Sequence, residues 1–371
     1  MSDLPRLPLE LIFSIITSLL GDPRNIHSPS QSSTKTLLSF TLVCRATYSA
    51  ATNYLREQCL FIDNDRRLCH LIHTVESTKH RVQGYYGGAG LDIPGSLTIQ
   101  PGSSLRPISS LYLSPFGQTI DDQPTAIWVR ELFYLIYPTL RRLVIDIPLR
   151  SLCPADDHLN VRKTLREAFS LLTALEEFTS VRDELYLDIL EPEWPTERET
   201  AVWTLWPKLR KLALYNVDAD ERFWKLVRSM GALDTVVLTR ADGLESTCMK
   251  SEYFGAASSS GASNETGLEG GEDESTHPRL LKVVIVNTST NQPNCMAGRW
   301  KWDEVDPNSL MEVMTYDVPT SFYGDENPIY LCQDWVKTAA LRGEIWDWEG
   351  DLVRGGPRDG SGTAVVFELE A

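Results

Sequence analysis

The chain lacks most of what the common functional classes require. Nowhere in its 371 residues does an apolar run approach the roughly 18 residues of a membrane span, so no membrane segment is expected. The seven cysteines (Cys44, Cys59, Cys69, Cys153, Cys248, Cys295 and Cys332) are odd in number, scattered, and contain no Cys-x-x-Cys pair. That excludes a disulfide framework and points to a reducing compartment, cytoplasmic and/or nuclear, with most thiols as small core residues. Basic charge is scarce: 35 Lys and Arg face 51 Asp and Glu, for a formal charge of -16. A net negative field repels phosphates, which argues against general nucleic-acid binding. Gly-x-Ser-x-Gly, P-loop and His-Glu-x-x-His motifs are all missing, as is a dinucleotide-type glycine loop between a strand and a helix. The nearest metal-like cluster, Cys69, His70, His73 and His80, matches no zinc spacing and reads as ordinary helix residues. No cofactor, metal or catalytic residue is expected.

Apolar residues make up 42% of the chain, enough for a sizeable core, and the length suits either several units or one extended repeat array. Residues 7–20 predict a helix. Leu7, Leu11 and Ile15 recur at four-residue spacing, with Ile12, Ile16 and Leu19 beside them, and Pro8 suits a first helical position. Glu10 interrupts the apolar run, Asp3 and Arg6 cancel, and no small-x-small site follows, so the stretch is not read as a secretion signal. Gly21 and Pro23 stop the helix. Residues 22–35 are a polar, Ser-rich loop insertion, and 36–55 return to helical periodicity, expected as two helices and so three in all, with Leu38, Leu42 and Cys44 to Tyr48 on the apolar side. The whole of 1–58 is expected to be one helical module, and 59–95 a connector.

From about residue 96 a cadence repeats. ISSLYL (108–113), TLRRLVI (139–145), ALEEFTS (174–180), KLRKLAL (208–214), ALDTVVL (232–238) and RLLKVVI (279–285) share one apolar pattern, anchored on Ile108, Leu140, Leu175, Leu209, Leu233 and Leu280. Helix-period stretches at 124–137, 159–172, 197–206 and 220–230 fall between the anchors. Strand and helix in alternation predict an α/β solenoid over 96–298. Its low-complexity acidic stretch 255–277 cannot bury enough apolar area to order and is expected to be a disordered insertion. Residues 299–371, with two Trp-rich segments around a helix at 328–342, are expected to form a C-terminal cap and tail, since the last repeat of an array exposes an apolar edge.

The N-terminal module resembles the F-box. The resemblance rests on Leu7, Pro8, Glu10, Leu11, Ile15 and Leu19, followed by Leu38, Val43, Cys44 and Arg45. It covers about residues 5–55, some 15% of the chain, and two separated halves match in order. Two departures stand out. The loop between the halves is long, and the aromatic expected three residues after the Cys is Thr47, with Tyr48 one step on. A plain N-terminal cap for the array would explain the amphipathic helices, but not Leu-Pro joined to Val-Cys-Arg. The array resembles leucine-rich repeats, although Asn216 and Asn287 fall two residues after the last apolar strand position rather than three. An ordinary α/β domain is the alternative there.

Together the two resemblances imply the substrate-recognition subunit of an SCF-type ubiquitin ligase. Leu7, Pro8, Leu11, Ile12, Ile15, Leu38, Val43 and Cys44 would bind a Skp-family adaptor, and through it a cullin–RING scaffold. The strand face of the array would hold a protein substrate, with Arg141, Arg142, Glu176, Glu177, Arg210, Lys211 and Asp234 as candidate contacts. The alternative is a protein–protein interaction module outside any ligase.

Overall fold

A computed structural model describes residues 8–74, 108–190, 199–255, 279–293, 296–321 and 323–355. Leu7, most of the 59–95 connector, the acidic stretch from residue 256 and the tail from 356 lie outside the described residues, as does His80.

The chain begins with three helices, α1 (Leu9–Leu20), α2 (Ser32–Phe40) and α3 (Arg45–Gln58). Pro8 sits one position before α1, and its carbonyl accepts from the Leu11 and Ile12 amides at 3.1 and 3.2 Å. Gly21, at φ +61°, ends the helix in a conformation glycine adopts without a Cβ penalty. Ile16, Leu37 and Ala51 form a small interior, with Ile12, Phe40, Tyr54, Leu55 and Cys59 packed around it.

Next come β1 (Phe61–Ile62) and a helix, α4, over the described residues 65–74. The main sheet continues through β2 (Ser110–Leu113), β3 (Arg142–Ile145), β4 (Glu177–Ser180), β5 (Lys211–Tyr215), β6 (Thr235–Thr239), β7 (Leu281–Asn287), β8 (Met311–Asp317) and β9 (Asp351–Leu352). The fold is mixed α/β. Among the described residues nine strands lie side by side in chain order, parallel from β1 to β8, with β9 antiparallel at the end. Each of the six sequence repeats supplies one strand. β1 falls in the expected connector, and β8 in the expected cap.

Register explains why the pattern repeats. Leu111, Leu143, Phe178, Leu212, Val236, Val283 and Val313 form one in-register row across seven strands. This row faces α5 (Gln123–Ile136), α6 (Val161–Ser170), α7 (Glu221–Ser229), α8 (Met249–Phe254) and α9 (Trp302–Val305). Side chains alternate across a strand, so the neighbouring row faces the other way. It reads Tyr112, Val144, Thr179, Ala213, Val237, Val284 and Met314, and is smaller on average. A sheet buried on both faces needs near-continuous apolar strands, which is what the repeats supply. Asp122 and Asp220 cap α5 and α7 by accepting from the Thr125 and Phe223 amides.

Two expectations shift. Of the anchors, Ile108, Leu140, Leu175, Leu209 and Leu233 are fully buried, but Leu280 is 54% exposed. β7 starts one residue earlier in its repeat, so alternation turns Leu281, Val283 and Ile285 inward and Leu280 outward. The helix expected over 197–206 is a single tight turn, Val202–Leu205. Three-residue spacing in such a turn puts Trp203 and Trp206 on the same side, both buried, and Pro207 bars continuation as a helix.

The described part of 299–371 does more than close an end. After β8, α10 (Pro328–Leu341) folds back across the second face of the sheet. Cys332, Val336, Ala339 and Ala340, followed by Ile345, Trp346 and Trp348, pack on Tyr112, Val144, Ala213, Tyr215, Val237 and Val284. The small residues of that row leave room for the helix. Ile26, from the loop between α1 and α2, enters the same cluster. Its amide donates to the Leu341 carbonyl at 2.7 Å, the His27 amide donates to the Gln58 carbonyl at 2.8 Å, and Arg142 donates to the Arg24 carbonyl. The segment expected as a polar insertion therefore ties the helical module to the sheet, and its last residues open α2.

Candidate partner-docking surface

The three N-terminal helices can bury only one face in so small an interior. Other large apolar side chains stay outside that interior. Leu9, Leu11, Phe13 and Ile15 on α1, Leu38 on α2, Leu42 and Val43 in the following turn, and Tyr48 on α3 are all exposed, Leu42 at 87% and Val43 at 62%. Eight large apolar side chains within 40 residues are more than the scattered single exposures normal for a protein surface.

Most of the residues expected to bind the adaptor lie here. Pro8, Leu11, Ile15, Leu38, Val43 and Cys44 are exposed. Ile12 is half-buried against the small interior and Leu7 lies outside the described residues. Leu9, Phe13, Leu42 and Tyr48 also belong to the surface. Sequence periodicity put Leu42 on the apolar side of a helical stretch. The chain instead turns at 41–43 between α2 and α3, which throws Leu42 outward. A cue was available in Thr41–Leu42–Val43, two β-branched residues just before the Cys that caps α3.

The displaced aromatic also has a local explanation. Cys44 is the N-cap of α3 and Thr47 its third residue. The Cys44 amide donates to the Thr47 hydroxyl at 3.1 Å, and the hydroxyl donates back to the Cys44 carbonyl at 3.0 Å. Thr47 is fully buried, so it acts as a reciprocal cap, and Tyr48 takes the outward position. The hydrogen bond from Thr47 also holds the exposed Cys44 thiol below its ordinary pKa.

The candidate substrate contacts divide into two groups. Arg141 pairs with Glu176, and Arg210 with Asp234 at 2.7 Å, at the exposed N-terminal edge of the strands. Arg142, Glu177 and Lys211 lie one step further along. Glu177 accepts from Arg142 at 2.8 Å and from Lys211 at 3.1 Å, and the Trp346 indole N–H donates to it at 3.0 Å. Burial alone would raise the Glu177 pKa, but the charges of Arg142 and Lys211 hold it below the usual carboxylate value. These three are occupied by the chain's own C-terminal segment.

Deeper under α10, Asp146 accepts from Tyr112 and Lys337 at 2.8 and 2.9 Å and from Arg182 at 2.5 Å. The set fastens α10 to β2, β3 and the loop after β4. Among the described residues no group of three or more His, Cys, Asp or Glu is placed to hold a metal ion, and no helix is long and apolar enough to cross a membrane. No model of a known protein family matches the sequence, and no curated protein matches it.

Proposed function

We propose that the chain is the substrate-recognition subunit of an SCF-type ubiquitin ligase. It docks a Skp-family adaptor, and through it a cullin–RING scaffold, by an F-box-like module of α1–α3. It carries a protein substrate on a leucine-rich-repeat-like solenoid. It performs no covalent chemistry of its own; it raises the effective concentration of substrate lysines near a ubiquitin thioester held elsewhere.

One observation carries the reading: Pro8, Leu11 and Ile15 of the first half of the sequence resemblance, and Leu38, Val43 and Cys44 of the second, are all exposed. A helical face of this kind is read by a partner groove through a few dominant anchors. Further support comes from the strands lying in chain order, one per repeat, as a stacked array requires. Because α10 and Trp346 cover the inner sheet face, cargo meets this array at its edges and loops.

Leu7→Ala combined with Pro8→Ala should weaken adaptor binding at least about tenfold, or roughly 1.4 kcal/mol. Calorimetric titration with purified adaptor reads the affinity, and circular dichroism checks the fold. Unchanged affinity in a folded double variant would falsify the F-box assignment. Co-purification of cullin with the tagged chain separates a ligase subunit from an interaction module that uses the adaptor alone.

A further inference from the structure

The three N-terminal helices have an interior of their own. Ile16, Leu37 and Ala51, with the side chains packed around them, share no member with the two interiors of the sheet. One module residue crosses over. Among the described residues, Ile26 alone of 8–58 belongs to the cluster under α10, where it is 1% exposed, and none of 8–58 belongs to the cluster on the opposite face.

Two connections join the module to the sheet. The first is covalent: α3 runs through Cys59 and Leu60 into β1, and the Ser109 hydroxyl donates to the Glu57 carbonyl at 3.5 Å. The second is the loop before α2. The Ile26 amide donates to the Leu341 carbonyl at 2.7 Å, Arg142 donates to the Arg24 carbonyl, and the Arg24 guanidinium pairs with Asp347 at 2.5 Å. Gly343 is the other half of this contact. At φ +67° it passes Arg24 so closely that a Cβ would lie 2.4 Å from the Arg24 Cβ and 3.0 Å from its carbonyl oxygen. Beside the contact the two bodies part around a cavity of about 540 Å³, with Asn25, His27 and Ser33 on one wall and Thr338, Arg342 and Glu344 on the other. Atoms facing a gap gain no dispersion across it, so the hold is concentrated on Ile26 and the contacts of Arg24.

We propose that residues 24–27 are a latch that fixes the angle between the helical module and the sheet. With Ile26 seated, the module has one orientation. With Ile26 out, α1–α3 stay folded on their own interior and swing about Cys59 and Leu60. Opening gives up one apolar side chain and a few polar contacts, far less than unfolding either body, and residues at the end of an element are where hinges sit. The apolar face of α1–α3 moves with the module, so the latch sets how a docked partner is aimed relative to the array. That consequence rests on the proposed function; the latch itself does not, and its test needs no adaptor.

Nitroxide labels on Cys44 and Cys153, exposed on the module and in the loop after β3, report the angle through their separation. The other cysteines are replaced by alanine in every sample. Double electron–electron resonance should give one narrow distance for the parent chain. Ile26→Asp puts an unpaired charge in an apolar socket and expels the loop; Gly343→Ala pushes Arg24 off from the opposite side. Each should at least double the width of the distance distribution. Hydrogen exchange in α2, α3 and β2–β8 should stay within about twofold of the parent, as an opening that leaves both bodies folded requires. A width unchanged by Ile26→Asp overturns the latch. So does exchange about tenfold faster in α2 and α3 of both variants, because the loop would then belong to the module's own fold instead of being a releasable contact.

Discussion

Two single residues illustrate how local chemistry sets this structure. Thr47 replaces an expected aromatic, yet it is fully buried and closes the start of α3 with two hydrogen bonds. Removing such a cap costs about 0.5–2 kcal/mol. Thr47→Ala should lower stability by that amount in urea unfolding, and Thr47→Ser, which keeps the hydroxyl, should recover most of it. Asp146 is the second case. Burial would raise its pKa, but the hydrogen bond from Lys337 and the charges of Arg182 and Lys337 hold it below the usual value of 3.8. A carboxyl with a lower pKa folded than unfolded binds fewer protons in the native state. Its stabilisation is therefore present above pH about 4 and is lost as pH falls through the folded value. Asp146→Asn should be less stable at pH 7 and should lose part of the acid-induced destabilisation below pH about 4. An unchanged acid limb in thermal melts would refute the role given to this carboxylate.

At the scale of elements, α1 has two apolar faces with different fates. Ile16 is fully buried in the small interior, whereas Ile15, next to it, is exposed. Ile16→Ala should cost roughly 2–5 kcal/mol of stability, as buried Ile-to-Ala changes do. Ile15→Ala should change stability by no more than about 0.5 kcal/mol, yet weaken adaptor binding. The crossed pattern of denaturation and binding data separates a docking face from a packing face. A stability loss with Ile15→Ala as large as with Ile16→Ala would remove the distinction. Periodicity alone gave α1 one broad apolar stripe; it could not say which half of that stripe turns inward. That depends on where α2 and α3 sit; the sequence indicated a break within 36–55, and the structure places it at 41–43.

At the scale of the whole molecule, the chain closes on itself. α10 and residues 345–348 fill the inner sheet face, and the loop carrying Ile26 joins the N-terminal helices to that filling. Gly343, at φ +67°, lets the backbone pass Arg24, where any Cβ would lie 2.4 Å from that residue's own Cβ. Trp346→Ala, which removes the indole over Glu177 and Lys211, should cost about 3–5 kcal/mol in the same unfolding transition as the sheet. A separate early transition would instead mean that α10 unfolds independently.

The sequence by itself determined the repeat. Apolar residues at fixed offsets must alternate across each strand, so six strands and four of the six described helices between and after them (α5, α6, α7 and α10) were readable, and the strand order followed from stacking. It also marked the apolar module at the N-terminus, because the Leu-Pro and Val-Cys-Arg patterns are local features of the sequence. Only the tertiary structure decided what covers the inner face. Arg142, Glu177 and Lys211 read as solvent-facing charges between apolar anchors, but they lie beneath Trp346, more than 130 residues later in the chain. A contact of that kind leaves no periodic trace, because it is set by the shape and size of a face assembled from seven strands.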